Sequence, residues 1–272
     1  MKILSLNIRG FGCDDTVESK ISKFRRIRLS KLPDVVSIQA SKCNEVSDSW
    51  LECVWGGPDF EFVQKPKMGK SEGLLLIWDP GVFNVNQAVV KEFFLAIKGH
   101  WIGKDMETII VNVYGPHNDE NKKRMWDSLE QLKRYDNAAW VICGDFNEVW
   151  DQTKRQNCVF IKRRASLFND FIERMQLIEI PLLGKKFTRI SDDRSKLSIL
   201  DRFLVSDDFL RMWGDISTLA LDRSLSDHCP IILRDKNDDF GSKPFKFFDM
   251  WLEFKDVEPI IVAAWNKKGR WA

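Results

Sequence analysis

The stretch Val141-Ile142-Cys143-Gly144-Asp145-Phe146-Asn147 constrains this chain more than any other. Its apolar start reads as a short buried strand that breaks at a glycine and then presents a carboxylate and a carboxamide. Side chains alternate faces along an extended backbone, so Asp145 and Asn147 are expected to point the same way and Phe146 back into the core. A strand ending like this sets an acid and an amide side by side at the edge of a hydrophobic interior.

The segments around it follow an α/β pattern. Lys2 to Ile8 is strand-like and stops at the turn signal Arg9-Gly10-Phe11-Gly12. Val17, Ile21 and Phe24 recur at helical spacing with Lys20, Lys23, Arg25, Arg26 and Arg28 between them, which predicts an amphipathic helix with a basic outer face. Pro33 ends it, and Asp34 to Gln39 is the next strand. Two strands joined by a crossover helix are expected to be neighbours in one sheet. Trp50 to Lys70 reads as mixed, with loops at Gly56-Gly57-Pro58 and Pro66.

Strand-like runs then follow at Gly73 to Trp78, Glu92 to Ile97 and Glu107 to Tyr114. Gly81, Gly99 and Gly103 fall between them, which predicts an antiparallel meander. A helix beginning near Asn118 or Asp119 carries Met125, Leu129 and Leu132, and a second, from Arg164 to Leu177, buries Leu167, Phe168, Phe171, Ile172 and Met175. Strands return at Phe187 to Ile190, Ile199 to Val205 and Cys229 to Leu233. The expected architecture is a four-layered αββα sandwich, two mixed β-sheets packed face to face with helices outside.

A length of 272 residues suits one large domain, placed over residues 1–235. The charged run Asp235-Lys236-Asn237-Asp238-Asp239 marks a linker, and residues 236–272 add an aromatic tail with Phe245, Phe247, Phe248, Trp251 and Phe254. Lys and Arg number 42 against 40 acids, so any nucleic-acid surface must come from local clustering. The cysteines Cys13, Cys43, Cys53, Cys143, Cys158 and Cys229 form no CxxC pair or zinc-like spacing. No signal peptide or membrane span is expected, and neither a membrane nor an obligate protein partner is indicated. The expectation is an intracellular protein with reduced thiols.

Reactive side-chain types concentrate at two further places. Ser226-Asp227-His228 directly precedes a strand, and Leu200-Asp201-Arg202-Phe203-Leu204 places an aspartate in an apolar run. Buried and unpaired, that aspartate would cost several kcal/mol, so it needs a partner such as His228 or a cation. On its own, a surface-facing strand position is the favoured explanation of Asp201, and Asn7 is more often a turn former than a ligand.

Together with Leu4-Ser5-Leu6-Asn7-Ile8-Arg9-Gly10, Val113-Tyr114-Gly115-Pro116 and Phe187-Thr188, these motifs resemble the endonuclease/exonuclease/phosphatase superfamily over about residues 1–235. Glu72-Gly73-Leu74-Leu75-Leu76-Ile77-Trp78-Asp79, Leu182-Leu183-Gly184-Lys185-Lys186-Phe187-Thr188 and Phe247-Phe248-Asp249-Met250-Trp251 are most similar to the endonuclease domain of plant LINE-type (non-LTR) retrotransposons. In such elements the last stretch leads toward a reverse transcriptase, so residues 236–272 are read as the remnant of a connection to a missing one.

The resemblance implies a Mg2+-dependent phosphodiester hydrolase that nicks DNA, with Mn2+ as an alternative ion. It implies catalytic roles for Asp145, Asn147, His228, Asp201 and Tyr114. Asp145 would activate water and His228, oriented by Asp201, would donate to the phosphate. Asn147, Thr188, Arg155 and Ser226 would meet the substrate, and Asn7 and Asp227 would lie on the metal side. Basic residues at Lys154-Arg155, Lys162-Arg163-Arg164, Lys185-Lys186 and Arg189 would contact phosphates. Nuclear location follows if the substrate is chromosomal DNA.

One departure stands against these matches. Where the family has its principal metal-binding glutamate, this chain reads Gln39-Ala40-Ser41-Lys42. Impaired turnover is therefore expected. Two other readings remain: a catalytically silent nucleic-acid-binding remnant, and a superfamily phosphatase acting on a small phosphoester.

Overall fold

The computed structural model describes residues 1–11, 16–67, 72–134 and 136–235. The aromatic tail from Phe245 onward and the proposed linker beyond Asp235 lie outside the described residues.

Strands β1 (Lys2–Asn7) and β2 (Val35–Gln39), joined by α1 (Thr16–Lys31), run parallel with Asn7 opposite Gln39. Helix α2 (Asp48–Trp55) and β3 (Glu61–Lys65) occupy the segment expected to be mixed. β4 (Leu74–Trp78), β5 (Phe83–Val90), β6 (Phe94–Trp101) and β7 (Glu107–Tyr114) follow, then α3 (Asp119–Arg134) and β8 (Ala139–Asp145). Beyond β8 come the short β9 (Arg155–Gln156), α4 (Lys162–Arg174), β10 (Leu177–Glu179), β11 (Leu182–Leu183), β12 (Arg189–Ile190) and β13 (Leu197–Ser198). β14 (Asp201–Ser206), α5 (Asp207–Trp213), β15 (Ile216–Ala220) and β16 (Ile231–Asp235) complete the described chain.

The strands form two large mixed sheets, ordered β11-β15-β16-β1-β2-β4-β3 and β10-β14-β8-β7-β6-β5, with a small third sheet β12-β13-β9. Alternation along each strand builds three apolar layers. Val35, Leu76, Leu95, Ile97, Val141, Phe203 and Ile231 meet between the sheets. Their sequence neighbours turn outward: Val36, Ile38, Leu75 and Ile77 pack with Phe24, Leu51 and Trp55 of α1 and α2. On the other side Val111, Ile142 and Leu204 pack with Met125, Trp126, Phe168 and Phe171 of α3 and α4. Strands buried on both faces read as near-continuous apolar runs, as β4 and β8 do. The result is the expected four-layered αββα sandwich.

Several expectations need correction. The antiparallel meander is β5-β6-β7 alone, because β4 joins the opposite sheet beside β2 and β3. Gly99 is no interval residue but lies within β6, opposite Val85 and next to a register shift. A Cβ there would come 2.1 Å from the Asn84 carbonyl oxygen, so the glycine permits a close backbone approach at a bulge. The second long helix is α4, ending at Arg174, and it leaves Leu167 exposed while burying Ala165, Phe168 and Phe171. α5 and β15 were not anticipated. No helix among the described residues is long and apolar enough to cross a membrane.

One polar bridge crosses the apolar layer between the sheets. Gln39 Nε2 donates to Asn112 Oδ1 at 2.7 Å, while Asn112 Nδ2 donates to the Ile38 and Leu75 carbonyls at 3.0 Å each. Gln39 also reaches Ser37 Oγ at 2.9 Å and Ser5 Oγ at 3.2 Å. Because both residues are buried, the bridge tolerates only one relative register of β2 and β7. Asn112→Ala removes the shortest of the Gln39 amide's bonds and the donor to those two carbonyls, at an expected cost of about 2–3 kcal/mol. Urea unfolding checks this: the midpoint should fall with the slope unchanged.

Candidate active site

Asp145 is the last residue of β8, which continues through Gly144 instead of breaking there. Directly opposite Asp145 sit Asp201, the first residue of β14, and Tyr114, the last of β7. Gly144 has φ 135° and a Cβ there would meet the Val113 carbonyl oxygen at 2.1 Å, so only glycine allows β7 and β8 to close up at this level.

His228 arrives from the other sheet on a loop tied at both sides. Ser226 Oγ donates to the Asn7 carbonyl at 2.6 Å and accepts from His228 N at 3.0 Å. Cys229 N donates to the Thr188 carbonyl at 2.7 Å. The imidazole Nδ1 then lies 2.8 Å from Asp201 Oδ2, and Nε2 lies 3.8 Å from Asp145 Oδ2. All three side chains are buried.

Burial alone would lower the proton affinity of His228, but the charges of Asp201, Asp145 and Asp227 outweigh it and raise the pKa to about 9. Burial pushes the Asp145 pKa above the usual carboxylate range, with His228 opposing and Asp201 adding to the rise. The group is thus a buried imidazolium between carboxylates, with Asp145 a stronger base than a solvated carboxylate.

The loop after β8 differs from the expected alternation. Phe146 does turn into the core, against Trp126 and Phe168. Asn147, however, has φ 49° and leaves the extended conformation. Its backbone N donates to Asp145 Oδ1 at 2.9 Å, and its Nδ2 donates to the Gly115 carbonyl at 2.7 Å. Asn7 Nδ2 donates to Asp145 Oδ2 at 2.9 Å, so both Asp145 oxygens are held. Lys122 of α3, itself buried, donates to the Asn147 carbonyl at 2.7 Å and pairs with Glu148.

An open cleft of about 480 Å³ rises from this floor. Arg9, Lys122, Arg155, Arg164, Arg189 and Lys196 line it against Glu72, Asp145 and Asp227. Tyr114 also lines it, donating to Glu72 Oε2 at 3.3 Å; burial, then Asp145 and Glu72, push its phenol pKa up. Of the basic clusters expected near the site, Arg155, Arg164 and Arg189 are present. Lys154, Lys185 and Lys186 line a separate pocket instead.

Two expected substrate contacts are corrected. Thr188 is fully buried, and its hydroxyl oxygen accepts from Leu200 N and Asp201 N at 3.0 and 3.1 Å, which fixes the start of β14. Ser226 spends its hydroxyl on the backbone of Asn7 and His228. Both position the site from behind it.

The resemblance noted in the sequence implies a divalent metal ion at such a site. Asp145, Asp201 and His228 each offer one ligand atom, all within 4.8 Å of one another, a spacing that can hold a metal ion. The residues on the expected metal side fit less well. A hard cation such as Mg2+ wants several unengaged oxygens in near-octahedral array. Ala40, buried at φ 52°, offers a methyl group. Asn7 Oδ1 accepts from Arg9 N, and Asp227 Oδ2 faces Arg9 NH1 and Arg189 Nε at 3.1 Å each. Asp227 Oδ1 is buried without a hydrogen-bond partner. A single uncommitted carboxylate oxygen beside two guanidiniums does not fit the expected metal arrangement.

Sequence reasoning missed Arg9, Glu72 and Lys122 as site residues. For Lys122 a signal existed, since it stands one turn before Met125 and Trp126 on the apolar face of α3. Arg9 and Glu72 carried no such mark, because their place depends on which strands become neighbours.

The two-sheet fold is similar to that of solved endonuclease/exonuclease/phosphatase proteins. A family model described as endonuclease-reverse transcriptase matches residues 108–232, a little under half of the chain, and that stretch holds Asp145, Asn147, Asp201 and His228. Similar solved structures include the AP endonuclease LMAP from Leishmania major, at 18% identity and TM-score 0.66, covering 85% of this chain and 86% of that one. The catalytic domain of Xenopus laevis APE2 gives 14% and 0.62, with 87% and 92% covered. The endonuclease domain of TRAS1, a telomere-specific non-LTR retrotransposon, gives 13% and 0.61, with 85% and 96% covered. At these identities the likeness is one of fold. None of the curated proteins compared with the chain matches it.

The imidazolium also sets a pH dependence. Folding raises the His228 pKa from 6.5 to about 9, so its stabilisation is complete below pH 6.5 and is lost as pH rises through 9. The stability difference between the protein and His228→Gln, read by chemical unfolding, should therefore shrink across that window. A difference that stays constant with pH would contradict the buried imidazolium.

Proposed function

We propose that this domain is a DNA phosphodiesterase of retrotransposon origin, a nicking endonuclease whose turnover is impaired at position 40. The observation that carries the reading is the Asp145–His228–Asp201 group at the floor of a basic cleft. Asp145, held by Asn7 and the Asn147 backbone and raised in proton affinity, orients the attacking water and takes its proton. As the water oxygen bonds to phosphorus and the P–O bond to the departing strand breaks, His228, aligned by Asp201, donates from Nε2 to a phosphate oxygen, and the departing oxygen takes a proton from solvent. Tyr114 and Asn147 flank the same oxygens, and Arg155, Arg164 and Lys196 track the neighbouring phosphates.

Such a substrate would place the protein in the nucleus when the DNA is chromosomal. In the superfamily a divalent ion, Mg2+ or Mn2+, neutralises the phosphate; with Ala40 in place of the glutamate and Asp227 paired to arginine, that support is weak here. If about 3 kcal/mol of transition-state stabilisation depends on it, the rate falls about a hundredfold. The same two features favour, as second reading, a domain that binds DNA without cutting it.

Plasmid nicking with Mg2+ separates these readings. Folded Ala40→Glu should nick about a hundredfold faster than the unaltered chain, and Ala40→Glu combined with Asp145→Asn should lose that gain. Equal and robust nicking by the chain and by Ala40→Glu would refute impairment at position 40. No nicking by folded Ala40→Glu would leave the DNA-binding reading.

A further inference from the structure

Resting on the nucleic-acid reading of the cleft, we infer that Arg9 and Arg189, bridged by Asp227, form a guanidinium clamp for a DNA phosphodiester that binds without a divalent cation.

Three observations support the clamp. First, both guanidiniums converge on one oxygen: Arg9 NH1 and Arg189 Nε each lie 3.1 Å from Asp227 Oδ2. The carboxylate is 2% exposed, whereas the Arg9 and Arg189 side chains are 46% and 36% exposed and line the cleft. Asp227 is thus the buried charge that holds both guanidiniums, while Asp192, 83% exposed, lies 3.5 Å from Arg9 NH1 as a looser partner that a phosphate can replace. Each guanidinium carries five N–H donors in a fixed fork, and Asp227 engages only part of each set. The planar fork matches the paired oxygens of a phosphodiester.

Second, the clamp is mounted on rigid backbone. Arg9 adopts φ 52°, an uncommon conformation for a residue other than glycine. The turn is pinned by Arg9 N donating to Asn7 Oδ1 at 3.1 Å, by Gly10 N donating to the Ala40 carbonyl at 2.6 Å and by Lys20 Nζ donating to the Gly10 carbonyl at 2.7 Å. Arg189 is bridged to His228 through the backbone, and the Asp227 carbonyl accepts from Ile190 N at 3.0 Å. Little conformational freedom remains to be lost when a phosphate docks.

Third, position 40 removes the competitor. The Ala40 carbonyl is part of the Arg9 turn while its side chain supplies no oxygen, so no carboxylate from that position draws a cation toward Asn7 and Asp227. Arg9 and Arg189 meet Asp227 Oδ2 from the cleft side, while His228 Nε2 lies 3.9 Å from Oδ1.

Fluorescence anisotropy with a short labelled DNA duplex tests this, in EDTA and in MgCl2 at matched ionic strength. The chain should bind in EDTA, and Mg2+ should leave the affinity unchanged or lower it. Arg9→Gln and Arg189→Gln, each folded by circular dichroism, should each weaken binding about tenfold and reduce the slope of log affinity against log salt by roughly one. Binding that appears only with Mg2+, or EDTA binding that both glutamine variants retain in full, overturns the clamp and leaves the nuclease reading standing. No binding in either buffer overturns the nucleic-acid reading itself.

Discussion

Asp145 and Asp201 stand directly opposite each other across the antiparallel pair β8 and β14, both buried at the end of the sheet. Like charges in that position repel, and a buried carboxylate without a partner is costly. His228 resolves the conflict by placing its ring between them, 2.8 Å from one and 3.8 Å from the other. Removing one partner from such a buried ionic group typically costs about 3–5 kcal/mol, so the group is also a constraint on the fold. The histidine comes from the sheet that does not contain the two acids. The site therefore exists only when the sheets are stacked in the right register.

Two other features enforce that register. The Gln39–Asn112 bridge joins β2 to β7 across the apolar layer between the sheets. Ser226, bonded to the Asn7 carbonyl, ties the His228 loop to the end of β1. From the helical side, Lys122 holds the carbonyl of Asn147, whose left-handed backbone lets its N–H turn back onto Asp145. The reactive ends of β1, β7, β8 and β14 thus meet in one cleft through polar contacts that the surrounding core keeps dry.

Much of this was legible in the residues. Alternating or wholly apolar runs marked β1, β2, β4, β7, β8 and β14; the isolated aspartate in the β14 run, alone best read as surface-facing, is instead buried and has the His228 partner that burial demands. Reading failed where identity depends on neighbours. Gly99 looked like punctuation, yet it is where β6 passes close to the Asn84 carbonyl. α2 was overlooked although Ser47 caps it and Leu51, Val54 and Trp55 fall on one face, because two glycines and a proline follow immediately. Thr188 and Ser226 were assigned to substrate by resemblance, whereas hydroxyls so near buried backbone N–H and carbonyl groups are consumed by them. The Arg9–Asp227–Arg189 cluster joins residues far apart in the chain, and only the fold brings them together.

In the proposed function, Ala40 alters what the cleft can do without disturbing how it is built. The acid–base group rests on β8, β14 and the His228 loop, none of which uses the side chain at position 40. The account accordingly depends on His228 being an imidazolium at neutral pH. Nitrogen-detected NMR of the labelled imidazole measures this directly: both ring nitrogens should be protonated at neutral pH and titrate near 9. A neutral ring at that pH, or a titration at or below 6.5, would contradict it.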